Sequence, residues 1–214
     1  YLEKGNIHRN NDLDSAFSFY QKAYNISIQN SYIRGVQKSL YNLLRLHYLT
    51  GNFTIVNKFD SSIKSQLKGD SLQQILPVVW YYQAKLFLIH AQYDSSAIYF
   101  RRTLKRAEKY NIHDLFIKSL IRISGIHRKF RNMDSVKIYL SLVEQKIKND
   151  FNESAFRDLL WQKGIYYGIQ KDYDSSLFFL NNAYKMSNNM GDSIGLSGIL
   201  LNLMMVEKYQ GNYK

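Results

Sequence analysis

The sequence predicts an all-α protein: an α-solenoid of about ten helices stacked as antiparallel pairs, without β-strands. Three observations carry this. A short signature recurs every 40 residues, apolar residues follow each copy at spacings of three and four, and polar turn residues interrupt the chain midway between copies.

Tyr1–Asn10 reads as the tail of a first helix. The signature then opens as Asn11-Asp12-Leu13-Asp14-Ser15-Ala16 and recurs in weaker form as Gly51-Asn52-Phe53-Thr54. It returns as Ala91-Gln92-Tyr93-Asp94-Ser95-Ser96, Arg131-Asn132-Met133-Asp134-Ser135-Val136 and Lys171-Asp172-Tyr173-Asp174-Ser175-Ser176, and opens once more at Gly211-Asn212-Tyr213-Lys214. Its bulky residue falls at 13, 53, 93, 133, 173 and 213 without slippage. After each anchor one apolar helical face follows, such as Ala16, Tyr20 and Ala23, or Val136, Leu140 and Val143. Asp12, Asn52, Asn132 and Asp172 are expected N-caps, and Asp14, Asp94, Asp134 and Asp174 place a carboxylate in the positive first turn. Polar breaks near 30, 70, 110, 150 and 190 start the other helix of each pair. Pro77 falls early in one of these, where proline is tolerated. Trp80, Phe87, Phe100, Leu140, Leu160, Tyr167 and Leu180 are expected to be mostly buried between helices.

Composition sets the outer bounds. The 214 residues include 29 Lys+Arg against 17 Asp+Glu, one proline and no cysteine. With 45% hydrophobic and 21% charged residues the chain can bury a real core and is not a disordered tail. Absence of cysteine excludes a disulfide scaffold, a cysteine zinc site and a thiol nucleophile, and suits bacterial cytoplasm or periplasm equally. No stretch approaches the roughly 18 apolar residues of a membrane span, so no membrane contact is expected within this segment. The start at Tyr1 and the unfinished repeat at Lys214 are read as marks of one continuous domain, 1–214, of about five repeats, cut at both ends from a longer protein.

The signature resembles the tetratricopeptide repeat (TPR) family. Gly164, Tyr167, Tyr173, Asp174, Ser176, Leu180 and Ala183 form the most faithful copy. Ala84, Phe87, Tyr93, Asp94, Ser96, Phe100 and Thr103 form another, with Trp80 where the family often has tryptophan. The departures are a 40-residue unit instead of about 34, a missing family proline, and Asp60 at an apolar position. The length is similar to that of TPR variants in kinesin light chains and bacterial peptide-sensing regulators. The resemblance implies a right-handed superhelix whose first helices line a concave groove and whose second helices form the convex side.

Carried over from the family, the groove would present Lys38, Lys118 and Asp158 in one row and Asn42, Tyr82, Arg122 and Gln162 in another, with Tyr41, Tyr81 and Trp161 beside it. Arg45 and Lys85 would form a third. Lys118 and Arg122 match two members of the carboxylate clamp of chaperone-binding TPRs, whereas Tyr41, Arg45 and Tyr82 replace the earlier ones. Such a groove, with Tyr48 added, suits an extended peptide or protein segment bearing acidic and apolar side chains. A homo-oligomer is compatible with it.

No catalytic or metal motif accompanies the repeat. His8, His47, His90 and His127 recur near one repeat position, which spaces them about a repeat apart and fits helix packing better than a shared metal. No His-Glu-x-x-His, phosphate loop or nucleophile elbow is present, and the paired aspartates at helix starts have a capping role. No catalytic residue, metal or cofactor is expected. Charge is uneven: residues 91–130 hold nine Lys+Arg and three Asp+Glu. Arg101, Arg102, Lys105, Arg106 and Lys109 form a stripe on one helix, read as a solvated face or as a docking surface for an acidic partner.

The expected function is therefore a non-catalytic protein- or peptide-binding scaffold, the sensor or interaction region of a larger bacterial regulator. Two alternatives are a nucleic-acid-binding helical repeat using the basic 101–131 surface, disfavoured because no base-reading module accompanies it, and a TPR-type regulator with phosphatase-like action on a response regulator.

Overall fold

A computed structural model describes residues 1–211. Asn212, Tyr213 and Lys214, where the last anchor falls, lie outside the described residues. Eleven α-helices and no strand occur among the described residues: α1 Leu2–His8, α2 Leu13–Gln29, α3 Ile33–Leu49, α4 Thr54–Gln66, α5 Gly69–Ile89, α6 Tyr93–Lys109, α7 His113–Lys129, α8 Met133–Asn149, α9 Glu153–Ile169, α10 Tyr173–Asn189 and α11 Ser193–Gln210. The chain forms two compact units, Tyr1–Ser119 and Leu120 onward. The sequence carries no linker at that point, and the division falls within α7.

Most helices run 17 residues and most turns three, which produces a 20-residue half-period. Most of these turns close by the same bonds; the one after α8 does not, and there the Asp150 N–H donates to the Lys146 carbonyl at 3.1 Å. The N–H of Gln92 donates to the Phe87 carbonyl at 2.8 Å and that of Ala91 to Leu88 at 3.1 Å, a Schellman closure that satisfies the last helical carbonyls. The bonds recur at Tyr32, Asn52, Ile112, Asn132, Asp172 and Asp192. This closure requires a left-handed residue, and Ser31, Ala91, Asn111, Arg131 and Lys171 occupy it at φ between 51° and 63° without being glycine. An L-residue there costs about 1–2 kcal/mol, partly offset by glycine's larger unfolded-state entropy. Ala91→Gly is therefore expected to stabilise the fold by about 0.5–1 kcal/mol in urea unfolding. A loss of stability would show that this turn closes differently.

Capping follows the sequence at three of four anchors. Asp12, Asn132 and Asp172 accept from the N–H of Ser15, Ser135 and Ser175 at 3.0–3.1 Å, each worth about 1 kcal/mol. Asn52 departs from expectation: α4 starts after Phe53 without a side-chain cap, and Asn52 Oδ1 accepts from the Thr54 hydroxyl instead. The Asp-Ser pair of the other anchors is missing there, and α4 is correspondingly short. Its neighbour α5 begins early, at Gly69, so Pro77 lies in the helix interior and not in its first turn. A proline there removes one ladder bond, and the Gln37 side chain of α3 donates to the nearby Gln74 carbonyl at 3.0 Å.

Within the first unit the core holds Ala16, Tyr20, Val36, Leu40, Leu43, Leu44, Ile75, Val79, Ala84 and Phe100, all fully buried. In the second it centres on Leu160, Leu180, Ala183, Ile199, Leu203 and Val206. The small residue of the signature brings paired helices together. Ser96 and Ser176, both fully buried, donate to the carbonyls of Ala84 (2.9 Å) and Gly164 (2.7 Å), each twelve positions earlier. A Cβ on Gly164 would meet Leu180 Cγ at 2.5 Å, so only glycine permits that approach. Phe100, Leu140, Leu160 and Leu180 are buried, and Trp80, Phe87 and Tyr167 keep only a minor part of their surface, as expected. Phe87 and Tyr167 face rings on the neighbouring helix, Tyr99 and Phe179.

Candidate functional site

The expected groove residues of the first unit do come together, although not all on the surface. Tyr41 and Tyr48 of α3, Tyr81, Tyr82 and Lys85 of α5, and Lys118 of α7 form one cluster. The Tyr41 ring lies 5.4 Å from Tyr82 and 6.1 Å from Tyr81, and Tyr48 lies 6.3 Å from Tyr82. Tyr81 meets Phe100 edge-on at 5.6 Å. Tyr81 and Tyr82 are only 2% and 1% exposed. They were expected to offer flat faces to a ligand, and instead they form the floor of the cluster. The physical reason is spacing: helices α3 and α5 pack so closely that tyrosines at this phase fill the seam between them. Tyr41 and Tyr48 keep part of their surface.

Two ammonium groups lie on this aromatic floor. Lys85 Nζ sits 3.5 Å from the centroid of Tyr48 and 5.1 Å from that of Tyr82. Lys118 Nζ sits 4.5 Å from the Tyr41 centroid and 3.0 Å from Asp114 Oδ2, one turn earlier on α7. Ring quadrupoles attract both cations, more strongly as water is excluded. For Lys118, burial opposes the charged form, but Tyr41, Asp114 and Tyr81 outweigh it and hold the ammonium above its ordinary value. Burial raises the Tyr82 phenol well above the usual tyrosine range, reinforced by Tyr41 and Tyr81 and only countered by Arg45. At neutral pH the site is therefore a positive rim over the neutral Tyr82 phenol. Arg45 and Asn42 are half-buried beside it and Lys38 is exposed.

In the second unit Arg122 is exposed on α7. Trp161 of α9 is half-buried and packs against the core there. Gly198 of α11 makes room for its indole, because a Cβ would meet the ring at 2.6 Å. Trp161 thus serves chiefly as packing, not as the open contact expected of it. Gln162 accepts from Arg128 at 2.7 Å.

Three of the five histidines pack against rings. His8 stacks on Phe19 at 5.6 Å, His47 meets Phe17 edge-on at 5.1 Å, and His127 stacks on Tyr139 at 5.3 Å. Burial pushes the His47 imidazole below its ordinary value, so it is neutral at pH 7 and behaves as an aromatic. Among the described residues no three His, Asp or Glu side chains converge as a metal cluster would require. No helix among them is long and apolar enough to cross a membrane.

Sequence reasoning missed two arrangements. One is a ring pair that closes each helix pair: His47 with Phe59, Phe87 with Tyr99, His127 with Tyr139, and Tyr167 with Phe179, at 5.2–6.4 Å. The signal was present, since each pair is twelve residues apart and each repeats after 40. The other is a buried arginine. Arg157 of α9, 6% exposed, reaches Asp192 at 2.7 Å, Ser187 at 3.0 Å and Asp158 at 2.8 Å. Asp192 also caps α11 by accepting from the Gly195 N–H at 3.2 Å, and a Cβ on Gly195 would collide with the guanidinium. Nothing in the repeat pattern marks Arg157, because no other repeat has its partner set.

No family model matches the chain, and no curated protein matches it. Among solved structures it is similar to BtubC (BKLC) from P. vanneervenii, with a TM-score of 0.61 and 15% identity over 94% of this chain and 85% of that one. At that identity the likeness is one of fold, and it supports an all-α, repeat-like architecture for this chain.

Proposed function

We propose that the chain is a non-catalytic scaffold of TPR type that captures a protein or peptide segment, the interaction region of a larger bacterial regulator. The observation that carries this reading is the pair of ammonium groups, Lys85 and Lys118, held over Tyr48 and Tyr41. A cation fixed on a ring is preorganised, so a carboxylate meeting it loses less side-chain entropy than one meeting a free lysine. Half-exposed tyrosines beside it supply the flat contact area that dominates affinity at such sites. The ligand expected is an extended segment with acidic and apolar side chains. The acquaintance of this surface with acids also predicts association that slows as salt rises.

The test is selection of binders from a random peptide library, followed by titration of the best labelled peptide against the protein and its Lys85→Ala/Lys118→Ala variant. Enrichment of Asp/Glu beside Leu or aromatic residues is expected, with affinity falling at least about tenfold in the variant, since each lost charge contact is worth 1 kcal/mol or so. Circular dichroism confirms that the variant is folded. Selected peptides that bind the folded variant equally well would overturn this surface as the site.

A further inference from the structure

The outer face of α6 carries a second, independent feature. Arg101, Arg102, Lys105 and Lys109 are exposed and Arg106 is half-buried. None of the five makes an ion pair among the described residues. The nearest carboxylate influence is Asp70 of α5, whose charge reaches Lys109 and Arg106 but whose oxygens are bound by Tyr110 (2.7 Å) and Gln74 (2.9 Å). Glu108 lies on the same helix.

The repeat provides an internal control for this pattern. At the five equivalent positions α2, α8 and α10 each have one lysine, namely Lys22, Lys146 and Lys185, and otherwise uncharged residues. Solvation of this face therefore does not require five cations. Like charges four apart, as in Arg101, Lys105 and Lys109 and again in Arg102 and Arg106, destabilise a helix. The helix dipole favours cations only in the last turn, and Arg101 and Arg102 lie well before it. On the same face Ile98 is 48% exposed, three and four positions ahead of the two arginines. Arg102 already rests over Tyr99 at 5.2 Å and Lys109 over Tyr110 at 5.1 Å, so both heads are partly fixed.

We infer that this face of α6 docks an acidic protein segment, one whose carboxylates match the row Arg101–Lys105–Lys109 and whose apolar side chain covers Ile98. The row is about 12 Å long, the reach of two or three carboxylates on a facing helix. Nucleic acid fits less well: phosphates would satisfy the cations but nothing in a backbone contact would cover Ile98, and the tyrosines that could stack bases lie against Arg102 and Lys109.

The experiment titrates the protein with three labelled probes at 100 mM salt: an amphipathic helical peptide of Glu and Leu, the same peptide with Leu replaced by Ser, and a single-stranded oligonucleotide of equal charge. The Glu/Leu peptide is expected to bind most tightly. Arg101→Glu/Lys105→Glu should weaken it at least tenfold, and Ile98→Ser about threefold with an unchanged salt slope. Because the Lys85/Lys118 surface is also expected to accept acidic and apolar side chains, the titration is repeated in the Lys85→Ala/Lys118→Ala background. There Arg101→Glu/Lys105→Glu should cost the same factor as in the unaltered protein, which separates this surface from the one proposed above. Tighter binding of the oligonucleotide would assign the face to nucleic acid and overturn the inference. So would equal affinity in the folded charge-reversal variant, or no binding of any probe.

Discussion

Phe100→Ala is expected to destabilise the first unit by about 3–5 kcal/mol, the usual cost of emptying a fully buried aromatic site. Phe100 is completely buried, meets Tyr81 edge-on at 5.6 Å, and stands at the repeat phase occupied elsewhere by Tyr20, Leu140 and Leu180. Truncation removes the apolar transfer free energy and leaves a cavity that the neighbouring helix backbones cannot close, since Ser96 anchors α6 to the Ala84 carbonyl. Because Tyr81 lies beneath Tyr41 and Lys118, the loss should also loosen the cluster they form. Urea unfolding reads the loss, and hydrogen exchange should show it concentrated in α5 and α6. Domains have total stabilities of about 5–15 kcal/mol, so the variant is expected to be near its folding limit. A change under 1 kcal/mol would mean that Phe100 is not core in solution.

Arg157→Ala is expected to cost about 3–5 kcal/mol, the penalty of stranding a buried partner. The guanidinium ties α9 to Ser187 at the end of α10 and to Asp192 at the start of α11, so one side chain holds three helices in register. Its removal leaves the Asp192 carboxylate, only 13% exposed, without its cation. The diagnostic is a rescue. Arg157→Met/Asp192→Asn replaces the pair with an apolar chain and a neutral residue that still caps α11. Since buried ion pairs exchanged for well-packed apolar groups are often neutral in stability, the double variant should recover at least half of the loss. Equal destabilisation in both variants would assign the effect to the lost guanidinium hydrogen bonds and not to the stranded charge.

The architecture was legible because repetition amplifies weak signals. A lone Asp-x-Asp-Ser at a helix start says little, but six anchors at 40-residue intervals determine helix number, helix class, most boundaries and the core phase at Tyr20, Phe100, Leu140 and Leu180. Capping by Asp12, Asn132 and Asp172 was legible for the same reason, as a local interaction between residues three apart. What the repeat could not encode were its own exceptions. The short α4, the uncapped Asn52 and the interior Pro77 all follow from one degraded anchor, whose consequences pass to the next helix.

Phase along the chain also told which residues share a helix face but not how closely two faces approach. Tyr41, Tyr81 and Tyr82 occupy equivalent or adjacent phases, yet only the separation of α3 and α5 decides that Tyr82 is floor and Tyr41 is rim. Lys85 and Lys118 were visible as cations; that each would lie on a tyrosine ring depended on three helices meeting. Arg157 shows the limit most clearly. Its partners, Asp192 and Ser187, are 30 and more residues away, and only tertiary packing turns a surface-type residue into a buried, ion-paired one. Sequence determined the local and periodic terms, because they act between near neighbours. The tertiary structure decided burial and charge pairing, because both depend on distances between helices that no single repeat contains.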